Sequence, residues 1–197
     1  NLNLEKVKIE EEEMSMSVVK NLVEKIEELN ADYTYHASEK ISFAAQRHNF
    51  KVMLSGMGAD EIFGGYPRYK LVKYKTFFKG IRFIFRPVSF FFNHIKSINK
   101  KIDRFDSFLN EKDFALSYSF LIGSFSLKEI SSLVKNNISI AKYQRKLKAF
   151  LKNVRGQTNF KKAFYLDLYG FLSHNFIIGD KSSMQASIEM RVPLVNK

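Results

Sequence analysis

Residues 51–69 read KVMLSGMGADEIFGGYPRY, and this segment decides the fold of the chain. It begins with a short apolar run over 52–54, stops at Ser55-Gly56, and passes through Gly58 to the acidic pair Asp60-Glu61. A short apolar run closed by glycine predicts a buried strand, and an acidic turn after it predicts the start of a helix. The segment therefore predicts a strand, a glycine turn and a helix N-terminus, in that order.

This order of elements is the geometry of an anion-binding site. Glycines let the backbone approach a ligand, and the free N–H groups of a helix N-terminus favour phosphate. Two carboxylates at the same place would repel a bare phosphate, so they indicate a cation standing between them and the ligand. Magnesium commonly takes one or two carboxylates together with substrate phosphates. The residues therefore favour a site for magnesium-bound phosphate.

Two motifs carry a resemblance to a known family. The first, SGMGADEIFGGY at 55–66, resembles the SGxGxDExFGGY signature of the synthetase domain of glutamine-dependent asparagine synthetases and their relatives, an ATP-pyrophosphatase family. The second, DKSSMQASIEMRVPL at 180–194, resembles the later motif of that domain, D[RK]xSMxxSxExRVPF. Two separate motifs in the family's order are hard to obtain by chance.

The resemblance implies an α/β fold of the ATP-pyrophosphatase type, also called adenine nucleotide α-hydrolase-like, in which a parallel sheet is combined with many helices. We expect the chain itself to be mostly helical, with one strand at 52–54 whose partner strands come from other sequence. We expect residues 1–197 to be a partial asparagine-synthase-type domain. In relatives, the SGGxDS pyrophosphate loop and the N-terminal glutaminase domain lie upstream, and neither occurs in this sequence.

Apolar residues at helical spacing predict the surrounding helices. A first helix has Val18, Val19, Leu22, Ile26 and Leu29 on one face. A second helix is predicted over 38–48, with Ile41, Ala44, Ala45 and His48 inward. Further helices are predicted between 70 and 105 with a break at Pro87, from Ser126, over 140–154 with a stop at Gly156, and over 163–176 as a buried helix. Asp167 lies inside the last of these, and a buried carboxylate needs a partner.

In the resembled family a carboxylate attacks the α-phosphate of ATP, which gives an acyl-adenylate and pyrophosphate, and ammonia then displaces AMP. The resemblance implies an ATP-dependent amide-forming ligase, active in the cytoplasm, with ATP and Mg²⁺ as cofactors and aspartate as the default substrate. The ammonia would come from glutamine through a glutaminase domain in cis or in trans. A homodimer is also compatible with the family.

The resemblance assigns site residues one by one. Ser55 and Gly56, with Gly58, match the positions placed against the AMP part of ATP, and a glycine leaves the nucleotide room to approach. Asp60 matches the magnesium ligand on pyrophosphate. Lys181 aligns with the lysine that contacts pyrophosphate, where a fixed ammonium stabilises developing phosphate charge. The plainer alternatives are a turn that ends a strand, an acid at a helix start and a solvated lysine.

Four further residues are expected to support the site: Glu61, Asp180, Glu189 and Arg191. Glu61 is similar to the acid that adjoins the magnesium ligand in the family. Glu189 and Arg191 are two apart in an extended segment, so their side chains point to the same side of the chain. We therefore expect that pair to hold the loop and not to act on substrate.

Met57 departs from the family pattern and is expected to determine the substrate. Asparagine-forming members carry glutamate at this position, and β-lactam synthetases carry tyrosine. Methionine can neither accept a proton nor bind a cation strongly. Two alternatives therefore stay open beside asparagine formation: an amide synthetase for another carboxylate, and a degenerate, non-catalytic nucleotide-binding module.

The overall composition narrows the remaining functions. The chain has no cysteine, which excludes disulfides and cysteine-based metal sites, and its four histidines show no ligand spacing. The net charge of +12 raises the alternative of nucleic-acid binding, but no recognised nucleic-acid motif accompanies it, so no nucleic-acid partner is expected. The N-terminal residues lack a signal-peptide pattern, and the most apolar stretch, 77–92, is interrupted by charges. We therefore expect no transmembrane segment.

Overall fold

The structure is a computed structural model, and it describes residues 6–8, 15–26, 32, 34–81, 96–123, 132 and 140–195. The chain divides into two compact units. The first unit comprises residues 1–63 and 168–197, and the second comprises residues 64–167. The predicted break at Pro87 and the predicted helix start at Ser126 lie outside the described residues.

The first unit contains a small parallel sheet. Its elements are α1 (Met16–Ile26), α2 (Thr34–Arg47), β1 (Val52–Leu54), α3 (Ala59–Phe63) and, from the later part of the chain, the helix Leu172–Met184 and the strand Glu189–Arg191. We call this strand β2. It pairs with β1 in the register Val52↔Glu189, Met53↔Met190 and Leu54↔Arg191. A mostly helical chain with a small parallel sheet fits an α/β fragment.

The prediction of a single, buried strand is wrong in two respects. The chain supplies a second strand from the later motif, which sequence patterning missed because Glu-Met-Arg offers one apolar residue between two charges. The first strand is also not buried, since Val52 is 39% and Leu54 71% exposed. Among the described residues only β2 pairs with β1, and strand pairing does not cover side chains, which stand out from the faces of the sheet.

The buried faces of α1 and α2 differ in part from the predicted ones. Helix α2 begins at Thr34, four residues before the predicted start, and the Thr34 N–H donates to Asp32 Oδ1 at 3.0 Å. Its predicted inward residues Ile41 and His48 are exposed. Ala44 is buried as predicted, together with the polar residues His36, Glu39 and Ser42. Glu39 accepts from Lys25 Nζ at 2.6 Å. Helix α1 turns Val18 and Ile26 inward as predicted, but Val19 is exposed, and Leu29 lies outside the described residues.

The second unit is built around aromatic side chains. Its elements are α4 (Pro67–Lys73), a helical segment at 75–81, α5 (Lys96–Asn110), α6 (Phe114–Ile122), α7 (Ile140–Phe150), a 3₁₀ turn (Leu151–Val154) and α8 (Asn159–Leu166). Tyr69 stacks on Phe164 with ring centroids 4.7 Å apart, and Phe108 and Tyr118 are fully buried beside them. The stop predicted at Gly156 is confirmed by its φ of 85°, which favours glycine.

The helix predicted over 163–176 is interrupted. Helix α8 ends at Leu166, a π-helical segment covers Asp167–Phe171, and a new helix, α9, runs over Leu172–Met184. The prediction that this helix is buried on all sides is also wrong, because Tyr169 is 57% exposed. A π-helical turn inserts an extra residue into a helix, and such turns are frequent at functional sites.

Asp167 is the first residue of the π-helical segment, and the partner predicted for its carboxylate is present. The carboxylate is fully buried, and its Oδ2 accepts from Arg68 Nε at 2.9 Å and from the Tyr118 hydroxyl at 2.6 Å. Burial, and then the carboxylate, raise the pKa of Tyr118. Burial alone would lower the pKa of Arg68, but its interactions with Tyr118 and Asp167 outweigh that and raise it. The Tyr69 hydroxyl lies near the same carboxylate, outside hydrogen-bond geometry.

Candidate functional site

A cavity of about 620 Å³ lies beside the parallel strands of the first unit. It brings together four residues that the sequence analysis singled out: Met57, Asp180, Glu189 and Arg191. The rest of its lining is apolar and comes from β1, α9, β2 and the segment that follows: Leu54, Phe176, Met190, Val192, Pro193 and Val195. The two sequence motifs, distant along the chain, therefore meet at one cavity.

Met57 packs on the helix that carries the later motif. A Cβ atom built on Gly179 of α9 would lie 2.9 Å from Met57 Cε and 3.0 Å from Met190 Sδ. The absence of a side chain at Gly179 thus makes room for two thioethers on one side of the cavity. This part of the lining offers no proton acceptor and no strong metal ligand.

The glycine turn after β1 is held by hydrogen bonds. The Ser55 N–H donates to the Arg191 carbonyl at 2.9 Å, and Ser55 Oγ accepts from the Met57 N–H at 3.2 Å. Gly56 is exposed, and a Cβ atom there would meet no other heavy atom within 4 Å. Gly58 is buried with a φ of 90°. The two glycines therefore do different things: Gly56 leaves open space, and Gly58 permits a tight turn.

Gly58→Ala should lower the free energy of unfolding by about 2 to 4 kcal/mol, because it combines a strained backbone with overpacking. The new Cβ would collide with a methyl of Val195 and contact Leu172. Gly56→Ala is the matched control and should be nearly neutral. Chemical unfolding of the two variants and the parent measures the difference, and equal stabilities would contradict the described turn.

The acidic pair divides into an exposed and a buried residue. Asp60 is exposed, and its carboxylate has no hydrogen bond or ion pair with the other described residues. Glu61 is buried, with 2% exposure, and interacts with other residues of the protein. In the described part of the chain no group of three or more His, Asp or Glu side chains could hold a metal. Asp60 can therefore give magnesium one oxygen ligand, with phosphates and waters completing the shell, as is usual for this ion.

Lys181 lies outside the cavity lining. Its ammonium donates to the Ile26 carbonyl, near the end of α1, at 2.5 Å. This carbonyl belongs to the last turn of the helix, where backbone oxygens lack intrahelical partners and attract cations. Its neighbour Asp180 is exposed and does line the cavity. The structure thus places the adjacent residues of the DK pair on different sides of α9.

Glu189 and Arg191 pair as predicted. Arg191 Nε donates to Glu189 Oε1 at 2.9 Å, and its Nη2 donates to Oε2 at 3.3 Å. The pairing lowers the pKa of Glu189 and raises that of Arg191. Both side chains are 60% exposed, so solvent screens the attraction and the pair contributes little to stability.

Phe176 is a lining residue that the sequence did not predict. The apolar pattern over 163–176 predicts only a buried helix there, although Phe176 precedes Asp180 by four residues on α9. Residues four apart lie on one face of a helix, so a cavity lined by Asp180 also meets Phe176. That spacing in the sequence could have identified Phe176.

Among the described helices, none is long and apolar enough for a membrane crossing.

The parallel strand pair, the glycine turn after its first strand and a cavity shared by two distant motifs define an α/β fragment with one candidate site. The family model described as asparagine synthase matches residues 1–197. The chain therefore belongs to the asparagine synthase family, which confirms the resemblance seen in its motifs. No curated protein and no solved structure gives a significant match.

Proposed function

We propose that the protein is an ATP-dependent ligase that adenylates a carboxylate, releases pyrophosphate and then transfers ammonia to form an amide. Membership of the asparagine synthase family supports an ATP-dependent amide-forming synthetase. The observation that carries the proposal is the cavity that Met57 of the first motif lines together with Asp180, Glu189 and Arg191 of the second, whereas Ser55, Gly56, Asp60 and Lys181 are not among its lining residues. The proposal includes the ATP-pyrophosphatase type of fold, with β1 and β2 as part of its parallel sheet.

The proposed roles follow from exposure and charge. Ser55 and Gly56 would lie against the nucleotide, since Gly56 opens onto free space. Asp60 would hold Mg²⁺, which when bound neutralises phosphate oxygens and orients them. Glu189 and Arg191 would orient each other's side chains beside the cavity, while the pairing of β2 with β1 keeps the strand in place.

Lys181 would stabilise charge on the departing pyrophosphate, and for this its ammonium must exchange the Ile26 carbonyl for phosphate. Lys181→Met should therefore slow pyrophosphate release by about 100-fold or more. Because it also removes one hydrogen bond to the end of α1, it should lower stability by about 1 kcal/mol. Steady-state kinetics and chemical unfolding of the same preparation separate the two effects.

Exposed lysines on other helices provide a control for Lys181→Met. Lys161→Met on α8 is suitable because, among the described residues, the Lys161 side chain bonds only to Gln157. That variant should keep parental kinetics. If Lys181→Met lost stability while its rate of pyrophosphate release stayed at the parental value, the role of Lys181 would be limited to stabilising the C-terminal end of α1.

The apolar residues around Met57 bear on which carboxylate the protein uses as substrate. Aspartate is the family's default substrate, but Met57, Leu54, Phe176 and Met190 give the cavity an apolar wall. A polar carboxylate gains little from such a wall, whereas an apolar one is removed from water there. The second candidate is therefore an amide synthetase for a carboxylate with an apolar body. A degenerate nucleotide-binding module is the non-catalytic alternative.

A panel of carboxylates decides among these candidates. The full-length protein, with ATP, Mg²⁺ and either glutamine or ammonia, should release AMP and pyrophosphate in proportion to amide formed. Release with aspartate supports asparagine synthesis, and release only with less polar carboxylates supports the second candidate. ATP binding measured by calorimetry without any AMP release would favour the non-catalytic module.

We further propose that the nitrogen source is glutamine, through a glutaminase domain in cis or in trans. We also propose that the protein is cytoplasmic and forms a homodimer.

A further inference from the structure

A second cavity, of about 480 Å³, lies in the second unit and contains no residue of either motif. It is formed where the start of α6 meets the end of α7, the 3₁₀ turn and α8. Its volume is within the range of sites for small molecules. Its lining residues are Asp113, Phe114, Ala115, Lys148, Ala149, Leu151, Lys152, Arg155 and Lys162.

The lining carries four cations against a single carboxylate. That carboxylate, Asp113, is already engaged, since its Oδ1 accepts from the Leu116 N–H at 3.1 Å and its Oδ2 lies 3.1 Å from Lys148 Nζ. Burial alone would raise the pKa of Asp113, but the Leu116 N–H and Lys148 outweigh it and hold the pKa below its usual range. One cation is thereby neutralised and three are left.

The three other cations, Lys152, Arg155 and Lys162, have no hydrogen bond or ion pair to a carboxylate in the described part of the chain. Lys162 instead places its ammonium 6.0 Å from the centre of the Phe114 ring. Like charges gathered at one cavity repel one another, and an anion with two or more charges relieves that repulsion. A guanidinium with two ammonium groups is a common donor set for phosphate oxygens.

The remainder of the lining is apolar. Ala115 and Leu151 are buried, and Phe114 stacks on Tyr118 with ring planes 15° apart. A ligand that fills the cavity would therefore place an apolar part on Phe114 and Leu151 and its charge among the cations. Inorganic phosphate alone would leave the apolar part of the cavity in contact with water.

We propose that this second cavity binds a small phosphate-bearing molecule with an apolar or aromatic body, at a site separate from the one proposed for adenylation. The proposal rests on Lys152, Arg155 and Lys162, which have no carboxylate partner in the described part of the chain and line a cavity that also has apolar walls. It does not depend on the ligase activity, because no residue of the adenylation site contributes to this cavity.

Phenyl phosphate is a suitable probe, and alanine methyl groups are local reporters. In full-length protein labelled at alanine methyls, with EDTA present to suppress magnesium-dependent binding, phenyl phosphate should shift the Ala115 and Ala149 signals saturably. Ala186, in the first unit, should not move. The double variant Lys152→Gln/Arg155→Gln should raise Kd at least about tenfold, since it removes two of the three unneutralised charges.

Two controls make the test decisive. Lys161→Gln removes one positive charge from α8 beside Lys162, outside the cavity lining, and should change Kd less than about twofold. Benzyl alcohol, which lacks the phosphate, should give no shift. The proposal is overturned by no saturable shift up to about 10 mM phenyl phosphate, by equal weakening in Lys161→Gln, or by a matching shift with benzyl alcohol.

Discussion

Asp167→Asn should lower the free energy of unfolding by about 3 kcal/mol, because it leaves a largely buried guanidinium without its counter-charge. The carboxylate is fully buried, while the Arg68 side chain is 16% exposed. Arg68 Nε donates to Asp167 Oδ2 at 2.9 Å, and Nη2 lies 2.9 Å from the same oxygen as an ion pair. The loss would also leave the Tyr118 hydroxyl with a weaker acceptor. Chemical unfolding followed by circular dichroism measures the change.

The chain offers a matched control in the exposed pair of Glu189 and Arg191. Its Nε–Oε1 distance is also 2.9 Å, so the two pairs have the same closest N–O distance and differ in burial. Glu189→Gln should leave the unfolding midpoint unchanged within error. If both variants lost the same stability, or if Asp167→Asn lost none, burial would not be the cause of the difference.

Asp60→Asn should abolish pyrophosphate release from ATP by the full-length protein, with a loss of at least about 100-fold. The substitution keeps the size of the side chain but removes the negative charge that would bind magnesium. Asp60 has no partner among the described residues, so its replacement should leave the unfolding midpoint in place. The rate and the midpoint together distinguish a metal ligand from a structural acid.

A control for Asp60→Asn is Asp103→Asn on α5, at another exposed aspartate. It should keep the parental rate and the parental dependence on magnesium. Retained pyrophosphate release in Asp60→Asn at every magnesium concentration would remove Asp60 from the proposed site.

Local sequence predicted the features that depend on neighbours along the chain. The strand at 52–54 has its predicted bounds, because an apolar run and a glycine stop are both local signals. The pairing of Glu189 with Arg191 followed from the period of an extended chain. The motifs also predicted that residues 57 and 180 belong to one site, and both line the cavity.

Features that depend on distant partners could not be predicted in this way. Lys181 contacts a carbonyl 155 residues earlier in the chain, and Arg68 is 99 residues from Asp167. The need for a partner at Asp167 was predictable from the cost of burying a charge, but the identity of the partner was not. The second strand was missed because two of its three residues are charged and exposed.

The central claim is that the protein activates a carboxylate as its adenylate. Exchange of labelled pyrophosphate into ATP measures that step directly, since it requires reversible formation of the acyl-adenylate and no ammonia. With Mg²⁺, the full-length protein should catalyse exchange that depends on one carboxylate of the panel and is lost in Asp60→Asn. If ATP bound saturably but no carboxylate of the panel supported pyrophosphate exchange, the claim would be contradicted.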